Sequence, residues 1–200
     1  MPFSTYASDY MLDQWGTNHG GYMSAHSAYS SSGANELAGG SYARVAVTWA
    51  SASAEVKSLS GTPYTINCPA SSTVAFIGFW DASTSGNFSG MSPNAAGASP
   101  YAFAAPSSTG ILLAPGSAYT ANQTVVVFAT GGSTLPTGLT AGTIYYVKSP
   151  SSDSFQLSAS SGGSAITLSA DGAGYVQAIS VETFSGAGSL SVTSGSMTLI

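Results

Sequence analysis

The sequence predicts an all-β protein: a jelly-roll-like β-sandwich with a short N-terminal helix and an inserted small β domain. Three observations predict this class. After residue 40, short segments rich in Val, Ile, Tyr, Phe, Trp and Thr are separated by Gly, Pro, Asn and Ser, a pattern typical of strands and turns. Helical spacing of apolar residues occurs near the start of the chain. Hydrophobic residues make up 44% of the 200 residues, which is enough to build a core.

The predicted helix lies at the N-terminus. Its apolar residues recur at helical spacing: Tyr6, Tyr10, Met11 and Trp15. We expect about ten residues, ended by Gly16, and a helix this short is not stable alone. Tyr10 and Trp15 must therefore dock on another surface. Residues 17–40 are rich in Gly and Ser, which predicts a long ordered loop or arm.

The strands that follow differ in their burial pattern. Residues 42–50 and 64–68 alternate between apolar and polar, as expected for strands with one face on a core. Residues 73–80 are apolar on both faces, with Phe76, Phe79 and Trp80 among them. Such a strand is either central to a sandwich or covered by another subunit.

The pattern changes near residue 119, where closely spaced short strands begin. We expect these strands at 124–130, 143–148, 154–158, 165–169 and 175–181. The predicted organisation is therefore a helix and arm at 1–40, a sandwich at 41–118 plus 179–200, and an inserted β module at 119–178. The sandwich is expected to end in a strand at 196–200.

Charged residues are scarce: three Lys or Arg and eight Asp or Glu make up 6% of the chain, against about 25% in an average domain. The surface must then consist of Ser, Thr, Gly, Ala and Asn, whose burial in an assembly costs little side-chain entropy. A solvated β protein with a biased composition is the alternative. A net charge of −5 argues against nucleic-acid binding, and no apolar run approaches the roughly 20 residues of a membrane span.

The sequence predicts neither a metal site nor a cofactor. Cys68 is interpreted as a small core residue. His19 and His26 lie seven residues apart, with Asp13 as the nearest carboxylate, which is too few ligands for a typical zinc site. Packing within an aromatic loop or a hydrogen bond between subunits is the preferred role for His26.

We also expect no enzymatic activity. No Gly-x-Ser-x-Gly motif occurs. A polysaccharide depolymerase needs two carboxylates roughly 5–10 Å apart, and the acidic residues are scattered along the chain. Asp81 and Glu182, next to aromatic residues at strand ends, are the best pair for an active site, although acceptance of backbone hydrogen bonds at turns is the preferred role.

Aromatic residues are the candidate contacts with other molecules. The predicted interface residues are Tyr10, Trp15, Tyr22, His26, Phe76, Phe79 and Trp80. Tyrosines in loop-like stretches offer an uncharged surface for a sugar or a protein, or else anchor their own loops: Tyr22, Tyr29, Tyr101 and Tyr119.

Two stretches resemble proteins of tailed bacteriophages. NELAGGSYAR at 35–44, GFWD at 78–81 and ETFSGAG at 182–188 resemble a family of virion structural proteins of the tail-fibre, minor tail or head-decoration type. LPTGLTAG at 135–142, continuing to FQLS at 155–158, is similar to a β module that is repeated in phage fibre proteins and occurs here in one copy.

The resemblance implies a non-enzymatic structural component of a phage particle. The expected partners are copies of the chain itself, as a homo-oligomer such as a trimer, and other virion proteins. The N-terminus shows no signal-peptide pattern, so synthesis in the host cytoplasm is expected. A receptor- or glycan-binding tip with residues 119–178 as its outward face is the alternative, and a depolymerase ranks last.

Overall fold

The computed structural model describes residues 3–95, 98–107 and 109–198, and it confirms an all-β protein with one short N-terminal helix. The elements are α1 (Thr5–Asn18), β1 (Tyr22–His26), β2 (Val45–Ala46), β3 (Thr48–Trp49), β4 (Val56–Ser60), β5 (Tyr64–Cys68), β6 (Ser72–Val74), β7 (Phe76–Trp80), β8 (Phe88–Pro93), β9 (Tyr101–Ala105), β10 (Leu112–Leu113), β11 (Thr124–Phe128), β12 (Ile144–Lys148), β13 (Ser154–Ser158), β14 (Gly172–Ala178), β15 (Glu182–Phe184), β16 (Gly188–Val192) and β17 (Ser196–Thr198).

The chain divides into two compact units. Unit 1 combines Met1–Ser92 with Val181–Ile200, and unit 2 is the continuous segment Pro93–Ser180. The predicted module at 119–178 lies within unit 2, whose bounds also include β9 and β10. The sequence analysis assigned residues 41–118 to the sandwich and predicted no strand where β9 lies.

The helix is longer than the ten residues expected. The Ser4 Oγ accepts a hydrogen bond from the Ala7 amide at 3.3 Å, which caps the first turn. At the other end, the helix continues past Gly16 to Asn18. A Cβ at Gly16 would collide with the Lys57 side chain, so this glycine permits close packing and does not end the helix.

Unit 1 is built from short sheets around one core. A four-stranded sheet has the order β2-β1-β7-β8, and smaller sheets pair β15 with β6, β16 with β5, and β17 with β4 and β3. β7 thus has a neighbouring strand on each side in its sheet. This agrees with the interpretation from sequence that it is a central strand. The buried core residues are Met23, Ala25, Val47, Ile66, Cys68, Val74, Ile77 and Leu190. The last two residues of the predicted strand at 196–200 lie outside the described residues.

The prediction of a loop throughout 17–40 is wrong at β1. This strand pairs antiparallel with β7, from Tyr22 opposite Trp80 to His26 opposite Phe76. Its polar residues Ser24 and His26 suggested a loop. They are nevertheless buried, because they hydrogen-bond to each other across one face of the strand.

Unit 2 is a closed barrel with the strand order β10-β13-β12-β11-β14-β9. Alternate residues of its strands fill the interior, as the period of two requires: Phe103, Val125, Val127, Tyr145, Val147, Phe155, Leu157 and Val176. The strand predicted at 165–169 is not formed. Backbone hydrogen bonds from this segment go to Leu157 near its start and to Thr137 near its end, so it forms no continuous ladder with one strand. Leu168 is nevertheless in the core.

Candidate interaction surfaces

The cationic side chains of unit 1 are held inside the unit. The Arg44 guanidinium forms two hydrogen bonds with the Glu36 carboxylate, at 2.7 and 2.8 Å, and lies 3.5 Å above the Trp80 ring. Lys57 is buried and its Nζ lies 2.5 Å from Asp13 Oδ1. These charges are compensated within the fold and are not available to a partner.

In unit 2, Lys148 donates to the Gly163 carbonyl at 2.9 Å. This contact holds the one described cation of the barrel against its own backbone.

Carboxylates hold turns in the same way. Asp81 accepts from the amide and the side chain of Asn87, both at 2.7 Å, and these bonds lower the pKa of Asp81. Asp153 accepts from the Gly116 amide at 2.9 Å, and Asp171 accepts from the Ser107 amide; each bond lowers the pKa of the acid concerned. Each acid thus has the turn-holding contacts that were the preferred role for Asp81.

Glu182, the other half of the best sequence-predicted carboxylate pair, lies exposed on β15 opposite Val74 of β6. It is on a paired strand, whereas Asp81 is bound to Asn87.

Two opposing effects act on the pKa of Glu36. Burial acts to raise its pKa, but hydrogen bonds from Arg44 and Tyr42 outweigh burial and leave the pKa below its ordinary value. The Tyr42 hydroxyl in turn accepts from the Ala25 amide at 3.1 Å, so the ion pair is tied to β1. Burial raises the pKa of Tyr42.

A buried chain of hydrogen bonds joins Trp80, Ser24 and His26. His26 Nδ1 lies 2.9 Å from the Ala34 carbonyl, which can only accept, so Nδ1 carries the hydrogen of the neutral ring. Nε2 then accepts from the Ser24 hydroxyl at 2.7 Å, and Ser24 Oγ accepts from Trp80 Nε1 at 2.9 Å. Burial lowers the pKa of His26, which favours this neutral form.

This Ser–His pair is structural and lacks the features of a nucleophile and its base. Ser24 and His26 are 0% exposed, and Nδ1 of the ring faces a carbonyl where a catalytic histidine would face a carboxylate. The sequence signal was the Ser-x-His spacing, which puts both side chains on one face of a strand.

No group of three or more His, Cys, Asp or Glu suited to a metal occurs among the described residues. His19 is exposed, whereas both ring nitrogens of His26 are engaged. Cys68 is buried beside the Ile66 carbonyl, and burial raises the pKa of its thiol. A thiol in this environment is a weak nucleophile.

The helix α1 has two apolar faces. One face packs on unit 1 through Leu12 and Trp15, whose ring makes edge contacts with Trp49 and Phe79 at centroid distances of 5.3 and 5.8 Å. The other side carries Tyr6 and Tyr10, and Phe3 lies just ahead of the N-cap Ser4; these three residues, exposed by 82, 57 and 67%, are defined as the aromatic stripe.

The spacing of 6 and 10 places the two tyrosines of the stripe about 140° around the helix from the buried Ser8, Leu12 and Gly16. The sequence analysis missed Phe3 and missed the exposure of Tyr6, because the aromatic residues were taken for the docking face. The signal that separates the two faces is the column of small residues, Ser8 and Gly16, on either side of Leu12.

A shallow cleft of about 280 Å³ lies beside β8 in unit 1. Aromatic, thioether and hydroxyl groups line it, without a charged side chain: Tyr29, Ser30, Ser31, Phe88, Ser89, Gly90 and Met91.

The seven predicted interface residues differ in exposure. Tyr10 is exposed, and three residues are half-buried: Trp15, Tyr22 and Phe79. Phe76, Trp80 and His26 are covered within unit 1 itself. A part in an interface stays a prediction for all seven, and the geometry suits Tyr10 best.

Tyr101 and Tyr119 were both predicted in loop-like stretches, but Tyr101 begins β9, and both rings serve the barrel itself. Tyr119 is buried and its hydroxyl donates to the Val176 carbonyl at 3.1 Å, while Tyr101 packs edge-on against its ring. In unit 1, the Tyr29 ring lies 6.0 Å from that of Phe76.

The described part of the chain contains no helix with the length and hydropathy of a membrane span.

Residues 3–99 match the model of a protein family described as podophage GP4 fiber I protein gp80. The match begins just ahead of α1 and ends shortly after Ser92, where the first segment of unit 1 ends. No curated protein and no solved structure matches the chain. The resemblance to bacteriophage virion structural proteins is confirmed over residues 3–99, where the chain is similar to a family of podophage fibre proteins.

Proposed function

We propose that this protein is a non-enzymatic structural component of a bacteriophage particle, of the tail-fibre or capsid-decoration type, which acts by packing against copies of itself and other virion proteins. The family match supports a virion location. One structural observation supports the rest: the three cationic side chains of the chain are bound within their own units. Arg44, Lys57 and Lys148 all donate to groups of their own unit.

The inward direction of these cationic side chains affects the cost of assembly. Exposed Lys and Glu side chains lose conformational entropy and hydration when a partner covers them. A surface of Ser, Thr, Gly and Ala loses little of either. Such a surface can therefore be covered over a wide area with few charges to desolvate, and a buried unpaired charge is the most costly defect of a protein interface.

The test is the composition of purified particles. Quantitative mass spectrometry of phage particles is expected to find this chain at a fixed ratio to the other structural proteins. Particles of full infectivity that lack the chain would contradict the proposal. Copy number also separates the two types, because decoration predicts many copies per particle and a fibre predicts few.

A second candidate is binding of a host surface glycan, and the cleft beside β8 favours it. Aromatic rings pack on the apolar faces of sugars, and Ser hydroxyls can both donate and accept hydrogen bonds. Titration calorimetry with fragments of host polysaccharide tests this candidate. Ser31→Trp, which fills the cleft, is expected to abolish heat release, and Ser32→Trp, an exposed neighbour outside the cleft, is expected to preserve it.

A further inference from the structure

We infer that the aromatic stripe of α1 is a contact surface between copies of this chain. The inference rests on the proposed function, because it names the part of unit 1 through which the protein packs on itself. Tyr6 and Tyr10 lie one turn apart on the exposed face of α1, and Phe3 lies just ahead of the N-cap Ser4, so three large exposed rings occur at this end of the helix.

The stripe is held rigidly, and its exposure does not result from a loose helix end. The Asp9 carboxylate accepts from the Glu55 amide at 2.8 Å. One turn later, Asp13 accepts from the Ala52 amide at 2.8 Å and binds Lys57. With Leu12 buried beneath, α1 is fixed from Asp9 to Asp13, so the helix cannot rotate to bury Tyr6 and Tyr10.

The charges favour a second copy as the occupant. Two copies of a chain with net charge −5 repel each other, and this repulsion is weakest where the facing surfaces carry no charge. The acids of α1 are directed to the 52–57 region, which leaves the stripe neutral. Because a tyrosine hydroxyl both donates and accepts, a Tyr6–Tyr10 face is complementary to itself, as a twofold contact requires.

The exposed area of the aromatic stripe is large enough for the centre of an interface. A buried aromatic side chain covers about 150–250 Å², so exposures of 67, 82 and 57% leave roughly 400 Å² on the stripe. A stable pair needs about 800 Å² on each partner. The stripe thus supplies about half, and neighbouring small polar residues must supply the rest.

No comparable cluster occurs elsewhere in the described residues. The other large hydrophobic residues with exposed side chains there are Leu113 and Val181, which lie in different units. Isolated exposed apolar residues are ordinary, whereas a group of three aromatic rings marks a contact site.

The experiment compares Tyr6→Glu with Thr5→Glu in the full chain by sedimentation equilibrium over a wide range of concentrations. Both variants add one negative charge in the first turn of α1, where the helix dipole favours it, so neither should unfold the helix. Only Tyr6 lies on the stripe. We expect concentration-dependent association of the wild type and of Thr5→Glu, and a rise of at least about tenfold in the dissociation constant of Tyr6→Glu.

Equal association of Tyr6→Glu and Thr5→Glu would overturn the inference, as would a wild type that stays monomeric throughout. A Tyr6→Glu protein that associates normally but is missing from particles would assign the stripe to a different virion protein and also overturn it. The proposed function fails separately, when the wild-type chain is absent from infectious particles. In that case, weakened association of Tyr6→Glu would still support the contact between copies.

Discussion

At the scale of single residues, His26 shows how unit 1 accommodates a polar ring in its core. Both ring nitrogens have partners, and the ring is neutral because burial lowers its pKa. Of the charged groups around it, Glu36 acts to raise this pKa and Arg44 to lower it, but burial has the larger effect. Stability therefore depends on keeping a proton off the ring.

The first prediction concerns the pH dependence of stability. Above the ordinary histidine pKa of about 6.5, the His26 ring is neutral in both the folded and the unfolded chain. Below this pH the unfolded chain binds a proton that the folded chain rejects, so the free energy of unfolding falls with falling pH. The expected loss is about 1 kcal/mol between pH 7 and pH 5.5.

Tryptophan fluorescence in urea measures this loss in unit 1 alone, since all three tryptophans of the sequence, Trp15, Trp49 and Trp80, lie there. His26→Asn is expected to be less stable at every pH but to lose the dependence in this window. The matched control is His19→Asn, which removes an exposed ring. If His26→Asn keeps the wild-type dependence, the buried ring is not its source.

At the scale of elements, the helix α1 is positioned by a glycine. Gly16 faces the aliphatic part of Lys57, which is 4% exposed. The Lys57 ammonium group binds Asp13 of the same helix and the Ala50 carbonyl. Close approach of the helix backbone is what allows Lys57 to make both contacts. The ordinary cost of glycine in a helix is tolerated for this packing.

The second prediction follows from that packing. Replacing a helix-interior glycine with alanine ordinarily stabilises a protein by about 1 kcal/mol. Gly16→Ala is expected instead to lower the free energy of unfolding of unit 1 by about 1 kcal/mol, because the new methyl group displaces Lys57 from Asp13.

Urea unfolding followed by tryptophan fluorescence tests it, with Thr17→Ala, exposed and next along the helix, as the control. Equal stabilisation by both changes would show that Lys57 moves aside without loss.

Sequence reasoning succeeded for strands in which the alternation of apolar and polar residues matches the alternation of buried and exposed side chains. β13 was predicted with its observed bounds and β12 to within a residue, because apolar and polar residues alternate along both. It failed for β1, because the pairing that lets Ser24 and His26 be buried involves Trp80, far along the chain. Local pattern carries no information about such a partner.

The aromatic stripe was missed for a related reason. A helix with two apolar faces gives two acceptable ways to dock, and the sequence does not say which one is used. The carboxylates of Asp9 and Asp13 decide it, by binding the amides of Glu55 and Ala52. Those contacts depend on a turn that cannot be located before the fold is known.

At the scale of the whole molecule, the chain order is that of a domain inserted in another. Unit 1 is interrupted after Ser92 and resumes at Val181, and unit 2 is one continuous segment with a closed barrel and its own core. The two ends of unit 2 lie together, since the Ser180 amide donates to the Asn94 carbonyl at 2.6 Å.

The third prediction is that residues 93–180 fold by themselves. A closed barrel leaves no unpaired sheet edge, and adjacent ends mean that excision opens no gap. Near-ultraviolet circular dichroism of the fragment is expected to show ordered tyrosines and cooperative melting. The complementary chain, with a short Gly/Ser linker joining Ser92 to Val181, is expected to keep the tryptophan emission of the intact protein. A fragment without ordered tyrosine signals would contradict this prediction.

The hydrogen bond that closes the ends of the barrel has a consequence for inheritance. Recombination between related genomes needs only two crossovers, at the codons near 93 and 180, to replace the barrel by another domain with equally close termini. The amino acids that build the surrounding sheets would remain as they are. An exchange of this kind would change unit 2 and leave the residues of unit 1 as they are.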